Sequence, residues 1–130
     1  MDTSALYALV SEEDPRHLRA RQILAGLQDA REWLFTHDHV LVETVALAQA
    51  RGGLEPVRRL RDEIFPVLTI TWVDADLHGA ALDATLRGSR DVSLVDHTSF
   101  ELMRRRNIRR AFAFDDHFAR EGFELEAPTP

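Results

Sequence analysis

Helical and strand-like segments alternate along the chain, and this alternation limits the fold more than any other feature of the sequence. The clearest strand is LTITWV (68–73), in which β-branched and aromatic residues alternate, and shorter strands are expected near 33–36, 111–114 and 123–125. Strands separated by helices form parallel sheets that carry helices on both faces. The pattern predicts an α/β fold with one domain over residues 1–126, and the last residues, 127–130, are expected to be a disordered tail.

The residue composition excludes several classes of protein. The chain has 130 residues and no cysteine, so it has no disulfide and no thiolate metal site. All 16 basic residues are arginine. The lack of lysine argues against phosphate-loop NTPases and receiver-type phosphotransfer domains, and it excludes Schiff-base chemistry. No signal peptide and no apolar run long enough to span a bilayer is present, which predicts a cytoplasmic protein that does not enter the membrane.

The positions of two acids, Asp115 and Glu43, indicate where a binding site could form. Asp115 directly follows the expected strand at 111–114, and in parallel sheets ligands bind outside the carboxyl ends of the strands. Glu43 lies in the middle of VLVETVALA, which reads as a buried helix. A buried carboxylate needs a cation or several hydrogen-bond donors, so we expect either an arginine partner or a metal ion beside Glu43.

Asp2 and Asp96 complete a set of four acids, and each of these two has a structural alternative. Asp2 could be the N-cap of the first helix, and Asp96 could close a capping box with Ser93. Asp115 could likewise cap the turn that follows it. If the acids converge instead, two carboxylates about 4 Å apart repel by about 4 kcal/mol at an effective dielectric of 20. A bound divalent cation removes that repulsion, and an all-carboxylate set favours Mg²⁺ or Mn²⁺ over zinc.

Four segments of the chain resemble, in order, the motifs of PIN-domain ribonucleases, and specifically of VapC-type toxins from bacterial toxin–antitoxin pairs. The segments are DTSALYALV, THDHVLVETVAL, SLVDHTSFELMRRRNI and AFAFDDHFAREGF. The resemblance covers essentially the whole chain and implies a three-layer α/β/α fold with a central parallel sheet of four to five strands. It also implies that the catalytic and metal-binding residues are Asp2, Glu43, Asp96 and Asp115.

The same motifs contain three residues with a possible supporting role. Ser4 follows the first acid, and Ser99 lies one helical turn after Asp96, where it could steady a metal-bound water or simply bond to the helix. Asp116 is expected to be an outward, solvated acid, with a supporting role near the metal as the alternative. Some relatives carry an acid two residues after the last one, and here that position is His117.

The resemblance implies an endoribonuclease that uses Mg²⁺ (Mn²⁺ is possible), hydrolyses RNA, forms a homodimer and is neutralised by a VapB-type antitoxin. The formal net charge is −6, so RNA must be bound by a local basic surface. We expect this surface at Arg104, Arg105 and Arg109, although a solvated helix end that complements the helix dipole is the alternative for these residues.

The sequence departs from the family pattern before Asp2, and one alternative function remains. Only Met1 precedes Asp2, where the family has a full first strand, so either the start is truncated or the central strand is short. The rival function is a non-catalytic PIN-like domain that binds RNA or a partner.

Overall fold

The computed structural model describes all 130 residues and contains seven α-helices and four short strands. The helices are α1 (Thr3–Val10), α2 (His17–Asp29), α3 (Asp38–Gly52), α4 (Leu54–Arg59), α5 (Ala75–Arg87), α6 (Leu94–Arg105) and α7 (His117–Arg120). The strands are β1 (Phe35–His37), β2 (Thr69–Thr71), β3 (Arg110–Ala111) and β4 (Glu124–Leu125). A π-helical turn (Leu60–Ile64) and a 3₁₀ turn (Phe65–Val67) connect α4 to β2. No helix is both long enough and apolar enough to cross a lipid bilayer.

The predicted α/β class with parallel strands is confirmed, but the sheet is divided in two. β1 pairs in parallel with β2, and β3 pairs in parallel with β4. Met1 and Asp2 lie between the two half-sheets, directly before α1, and their amine and N–H groups bond to both sides. The Met1 amine donates to the Phe35 carbonyl oxygen at 2.6 Å, and the Asp2 N–H donates to the Phe112 carbonyl oxygen at 3.0 Å.

A groove of about 480 Å³ lies between the two half-sheets. Its walls include Leu34 and Phe35 on the β1 side, and Arg110 and Ala111 on the β3 side. Trp33 lines its mouth and is 77% exposed. The groove therefore separates two strand edges that a ladder of backbone hydrogen bonds would otherwise join.

The core is built around α1, which packs against both α2 and α3. Leu6 and Leu9 of α1 are fully buried, as expected for core residues, and Leu24 of α2 is partly buried against the same cluster. Because α1 is enclosed, the residues at its start are held firmly in place. This matters because α1 begins directly after Asp2.

The helix α3 differs from the prediction, because it is buried along one stripe and not on all sides. Only Val40, Thr44 and Ala48, which are spaced one turn apart, are buried. Val42 is 69% exposed, and Glu43 is exposed as well. The apolar composition of the segment concealed this, since alanine and valine are tolerated on an exposed helix face. The helix α3 ends at Gly52, and the next residue, Gly53, has a φ of +73°, a conformation that favours glycine.

Candidate active site

Asp2 is buried at the start of α1, and Ser4 fixes its carboxylate. Asp2 Oδ2 accepts hydrogen bonds from the Ser4 N–H at 3.2 Å and from Ser4 Oγ at 2.9 Å. Ser4 Oγ in turn accepts from the Phe114 N–H at 3.0 Å. Asp2 is thus the N-cap that its sequence context suggested, and it is also tied to the segment that leads into Asp115. Ser4 makes this connection.

Asp96 and Asp115 are joined through His117. Asp96 Oδ2 lies 3.1 Å from His117 Nδ1 and also accepts from the Ser93 N–H at 3.2 Å, which completes the predicted capping box. Asp115 Oδ1 accepts from the His117 N–H at 3.1 Å and lies 3.9 Å from His117 Nδ1. Each of the two acids therefore accepts a hydrogen bond from a backbone N–H at the start of a helix, and both still lie beside one imidazole nitrogen.

The electrostatics of Asp2 link all three of these acids. Burial, then the negative charge of Asp115 and, to a smaller extent, that of Asp96 together raise the pKa of Asp2 to about 6, against the opposing hydrogen bonds from Ser4. The three carboxylates repel one another, and Asp2 is buried, so solvent does not screen its charge. Such a site favours either a proton or a cation.

Each carboxylate of this trio keeps one oxygen that accepts no hydrogen bond from the protein. These are Oδ1 of Asp2, Oδ1 of Asp96 and Oδ2 of Asp115. Oxygen donors with negative charge are the ligands that Mg²⁺ and Mn²⁺ prefer, so the donor set fits such an ion in chemistry and charge. No group of three or more His, Asp or Glu side chains is close enough in this structure to enclose one.

Glu43 is not brought into contact with the other acids. Its side chain is exposed on α3, it makes no hydrogen bond or ion pair, and its charge is not among those that shift the pKa of Asp2. The expectation that a buried Glu43 requires a cation is wrong, because α3 turns Thr44 and not Glu43 toward the core. A role for Glu43 as a fourth metal ligand stays a prediction.

Ser99 has a partner that the sequence did not indicate. Its Oγ lies 2.8 Å from Nε2 of the buried His37, at the end of β1. Burial, then the charge of His39, lowers the pKa of His37 to about 4, so the imidazole is neutral at physiological pH. Nδ1 of His37 is buried and has no hydrogen-bond partner. A strand of three residues is too short for alternation to reveal which way His37 faces.

Asp116 and His97, which are neighbours of the acids in the sequence, contact other side chains. Asp116 has a side chain that is 76% exposed and pairs with Arg120 at 3.3 Å, in agreement with a solvated acid. His97 lies edge-on to Phe100, and Gly88 fits against its ring only because it lacks a Cβ.

The predicted arginine surface is largely engaged in ion pairs. Arg104 bonds to Glu121 at 2.5 Å, and Arg105 bonds to Asp76 at 2.7 Å. These residues precede β3, whereas Asp115 follows it, so they lie toward the amino end of the strand. Arg109 makes no ion pair and lines the groove. Their role in RNA binding stays a prediction.

Two other arginines lie closer to the acids. The guanidinium carbons of Arg16 and Arg19 lie 5.3 and 5.9 Å from the ring centre of Phe114, the residue before Asp115. The hydrogen bond to Asp14 raises the pKa of Arg16, and the charge of Asp115 contributes a smaller increase. No motif in the sequence marked this pair, because the contact spans almost the whole chain.

Comparison with known proteins agrees with this arrangement. The family model of the PIN domain matches residues 1–124. The chain belongs to the PIN-domain family. Among PIN-domain proteins it is 35% identical over 125 residues to the 23S rRNA-specific endonuclease VapC20 from two Mycobacterium tuberculosis strains, CDC 1551 / Oshkosh and H37Rv, covering 95% of this chain and 93% of the relative.

A solved PIN-domain structure is similar over nearly the same extent. The crystal structure of Mycobacterium tuberculosis VapC20, described as a sarcin–ricin loop cleaving toxin, superposes with a TM-score of 0.81 at 34% identity, covering 94% of this chain and 93% of that one. These similarities confirm the predictions of a PIN fold and of a ribonuclease toxin of the VapC type.

Proposed function

We propose that this PIN domain cuts ribosomal RNA with the help of Mg²⁺, or Mn²⁺, held by Asp2, Asp96 and Asp115, with Glu43 as the fourth acid. The observation that carries the proposal is the carboxylate trio, in which a buried Asp2 faces two further charges and each acid keeps one oxygen free. Glu43 is included because the resemblance implies it and because α3 starts directly after β1, close to where the Asp2 segment bonds to that strand.

The protein side of the mechanism follows from these contacts. The metal, when bound, would lower the pKa of a water and neutralise charge on the phosphate that is attacked. Ser4 keeps Asp2 in a fixed orientation by donating two hydrogen bonds to Oδ2, so that Oδ1 remains available. The neutral His37 fixes Ser99, which lines the same groove as Asp2, without adding positive charge.

RNA binding is proposed to use arginines beside the acid cluster. Arg19 is exposed, makes no ion pair and lies against Phe114, so it can contact a phosphate close to the cut. Arg104, Arg105 and Arg109 remain candidates for a more distant part of the RNA. Phosphate contacts of this kind make binding strongly dependent on salt.

The relatives act on 23S rRNA, one of them being described as cleaving the sarcin–ricin loop, and we propose the same class of substrate here. A VapB-type antitoxin and a second copy of the chain are the proposed protein partners. Since ribosomal RNA is the proposed target, the cytoplasm is the proposed location.

A cleavage assay tests this function. Metal-free protein is incubated with a synthetic RNA hairpin of the sarcin–ricin loop sequence, and with a scrambled hairpin of the same composition, with MgCl₂ or with EDTA. We expect cleavage of the first hairpin only, only with Mg²⁺, and none by Asp96→Asn.

The rival function, a non-catalytic binding domain, predicts a different result. The wild type would then retain the hairpin in a gel shift and leave it intact at every Mg²⁺ concentration. Equal cleavage by wild type and Asp96→Asn would show that a contaminating nuclease, and not this site, cuts the RNA.

A further inference from the structure

The imidazole of His117 lies among carboxylates, and neither the fold nor the family resemblance gives it a role. Nδ1 is 3.1 Å from Asp96 Oδ2 and 3.9 Å from Asp115 Oδ1, and Nε2 is 3.6 Å from Asp91 Oδ2. A carboxylate can only accept hydrogen bonds, so Nδ1 of His117 is the protonated ring nitrogen and donates a hydrogen bond to Asp96 Oδ2.

The same residue also holds the second acid. The His117 backbone N–H donates to Asp115 Oδ1 at 3.1 Å. His117 therefore donates to one oxygen of Asp96 and one oxygen of Asp115, and it leaves the other oxygen of each free. When one oxygen of a carboxylate is fixed in this way, the direction of the other is defined.

The packing of buried aromatic side chains fixes the spacing between Asp96 and His117. Phe118, the next residue, is 2% exposed and packs edge-on against Phe100 at 5.0 Å between ring centres. Phe100 lies on α6 one turn after Asp96, so the contact between α6 and α7 sets the spacing between Asp96 and His117. Neither residue can shift without disturbing a buried aromatic pair.

We propose that His117 is a positioning residue, whose Nδ1–H fixes the Asp96 carboxylate relative to Asp115 so that their free oxygens bind one divalent cation. The inference rests on the proposed function, since it assumes that these acids hold the metal. Groups that orient metal ligands in this manner typically change metal affinity about 10–100-fold when they are removed.

The test compares two variants of His117 whose amide side chains place the donor nitrogen at different positions. In His117→Asn the amide nitrogen lies close to the position of Nδ1, whereas in His117→Gln it lies closer to that of Nε2. We measure the Mn²⁺ dissociation constant of the metal-free protein by titration calorimetry. We expect His117→Asn to bind within about threefold of the wild type, and His117→Gln and His117→Leu to bind about tenfold more weakly or worse.

Asp91→Asn is the matched control, since it alters the contact on the other side of the same ring and should change the Mn²⁺ affinity less than about threefold. Equal affinities for the Asn and Gln variants, or wild-type affinity in His117→Leu, would overturn the inference and leave the proposed function intact. A wild-type protein that binds no Mn²⁺ would overturn the proposed function, and the inference with it.

Discussion

The backbone N–H of Asp2 donates a hydrogen bond to the carbonyl oxygen of Phe112 at 3.0 Å. This bond joins the first of the four candidate acids to the segment that follows β3, and the last of the four, Asp115, lies three residues further along that segment. The candidate active site is therefore assembled from the two ends of the sequence, and the order of the four motifs along the chain says nothing about which acids are neighbours in space.

Replacing Asp2 by Asn should stabilise the metal-free protein while it abolishes cleavage. The pKa of Asp2 is raised from 3.8 to about 6, so the group costs stability above pH 6 and costs nothing below 3.8. Asn keeps the N-cap and removes the charge. We expect urea unfolding at pH 7.5 to show a gain of roughly 1–3 kcal/mol, and little difference at pH 4.

Asp116→Asn is the control for that experiment, because its side chain is exposed and faces Arg120. It should leave the unfolding free energy within about 0.5 kcal/mol of the wild type. If Asp2→Asn loses stability at pH 7.5, contacts within the fold already compensate the negative charge of Asp2, which would contradict this prediction.

Protonation of His37 should contribute a loss of stability between pH 6.5 and pH 4, opposite in sign to the contribution of Asp2. The pKa of His37 is lowered from 6.5 to about 4, so the unfolded chain binds a proton in this range and the folded protein does not. The contribution of His37 to stability therefore falls by about 3 kcal/mol as the pH falls through this window, while protonation of Asp2 contributes a gain over the same range. The difference in unfolding free energy between His37→Gln, which keeps a polar group for Ser99, and the wild type should therefore shift in favour of the variant between pH 7 and pH 4. If the unfolding free energies of His37→Gln and of the wild type depend on pH in the same way, His37 does not make this contribution.

Arg19→Ala should weaken RNA binding without slowing the chemical step. The arginine is exposed beside Phe114 and is free to contact one phosphate. We expect a higher KM with kcat nearly unchanged. The slope of the logarithm of the RNA binding constant against the logarithm of the salt concentration should become smaller in magnitude by about one. Arg21→Ala, on another face of the same helix, serves as the comparison, and an identical effect there would indicate general charge rather than a contact.

Adding Val-Ile-Val directly before Met1 should stabilise the protein. Burial lowers the pKa of the Met1 amine to about 6, and this amine occupies a position where a backbone N–H would bond to Phe35. A short extended segment would replace the amine by an amide and cover the edges of β1 and β3 along the groove. We expect a higher Tm than for a Gly-Ser-Gly extension of the same length. Equal Tm values for the two extensions would show that the groove does not accept a strand.

The sequence predicted the caps at Asp2, Ser93 and Asp96 correctly because caps depend on residues close together in the chain. The burial of Glu43 was predicted wrongly, since composition does not reveal which stripe of a helix meets the core. The contacts of His117 with Asp96, and of Ser99 with His37, could not be foreseen, because they depend on how α6 packs against distant segments. A short central strand was one of two alternatives that the sequence offered, since only Met1 precedes Asp2, but the hydrogen bonds of these two residues to Phe35 and Phe112 could not be foreseen.

Mg²⁺-dependent stabilisation tests the central claim most directly. If Asp2, Asp96 and Asp115 share one cation, the Tm of the metal-free protein at pH 7.5 should rise with MgCl₂ at constant ionic strength. The gain should approach about 2.7 kcal/mol at a hundred times the dissociation constant, and most of it should be lost in Asp115→Asn. A Tm that does not respond to Mg²⁺, or one that rises equally in Asp115→Asn, would contradict the account.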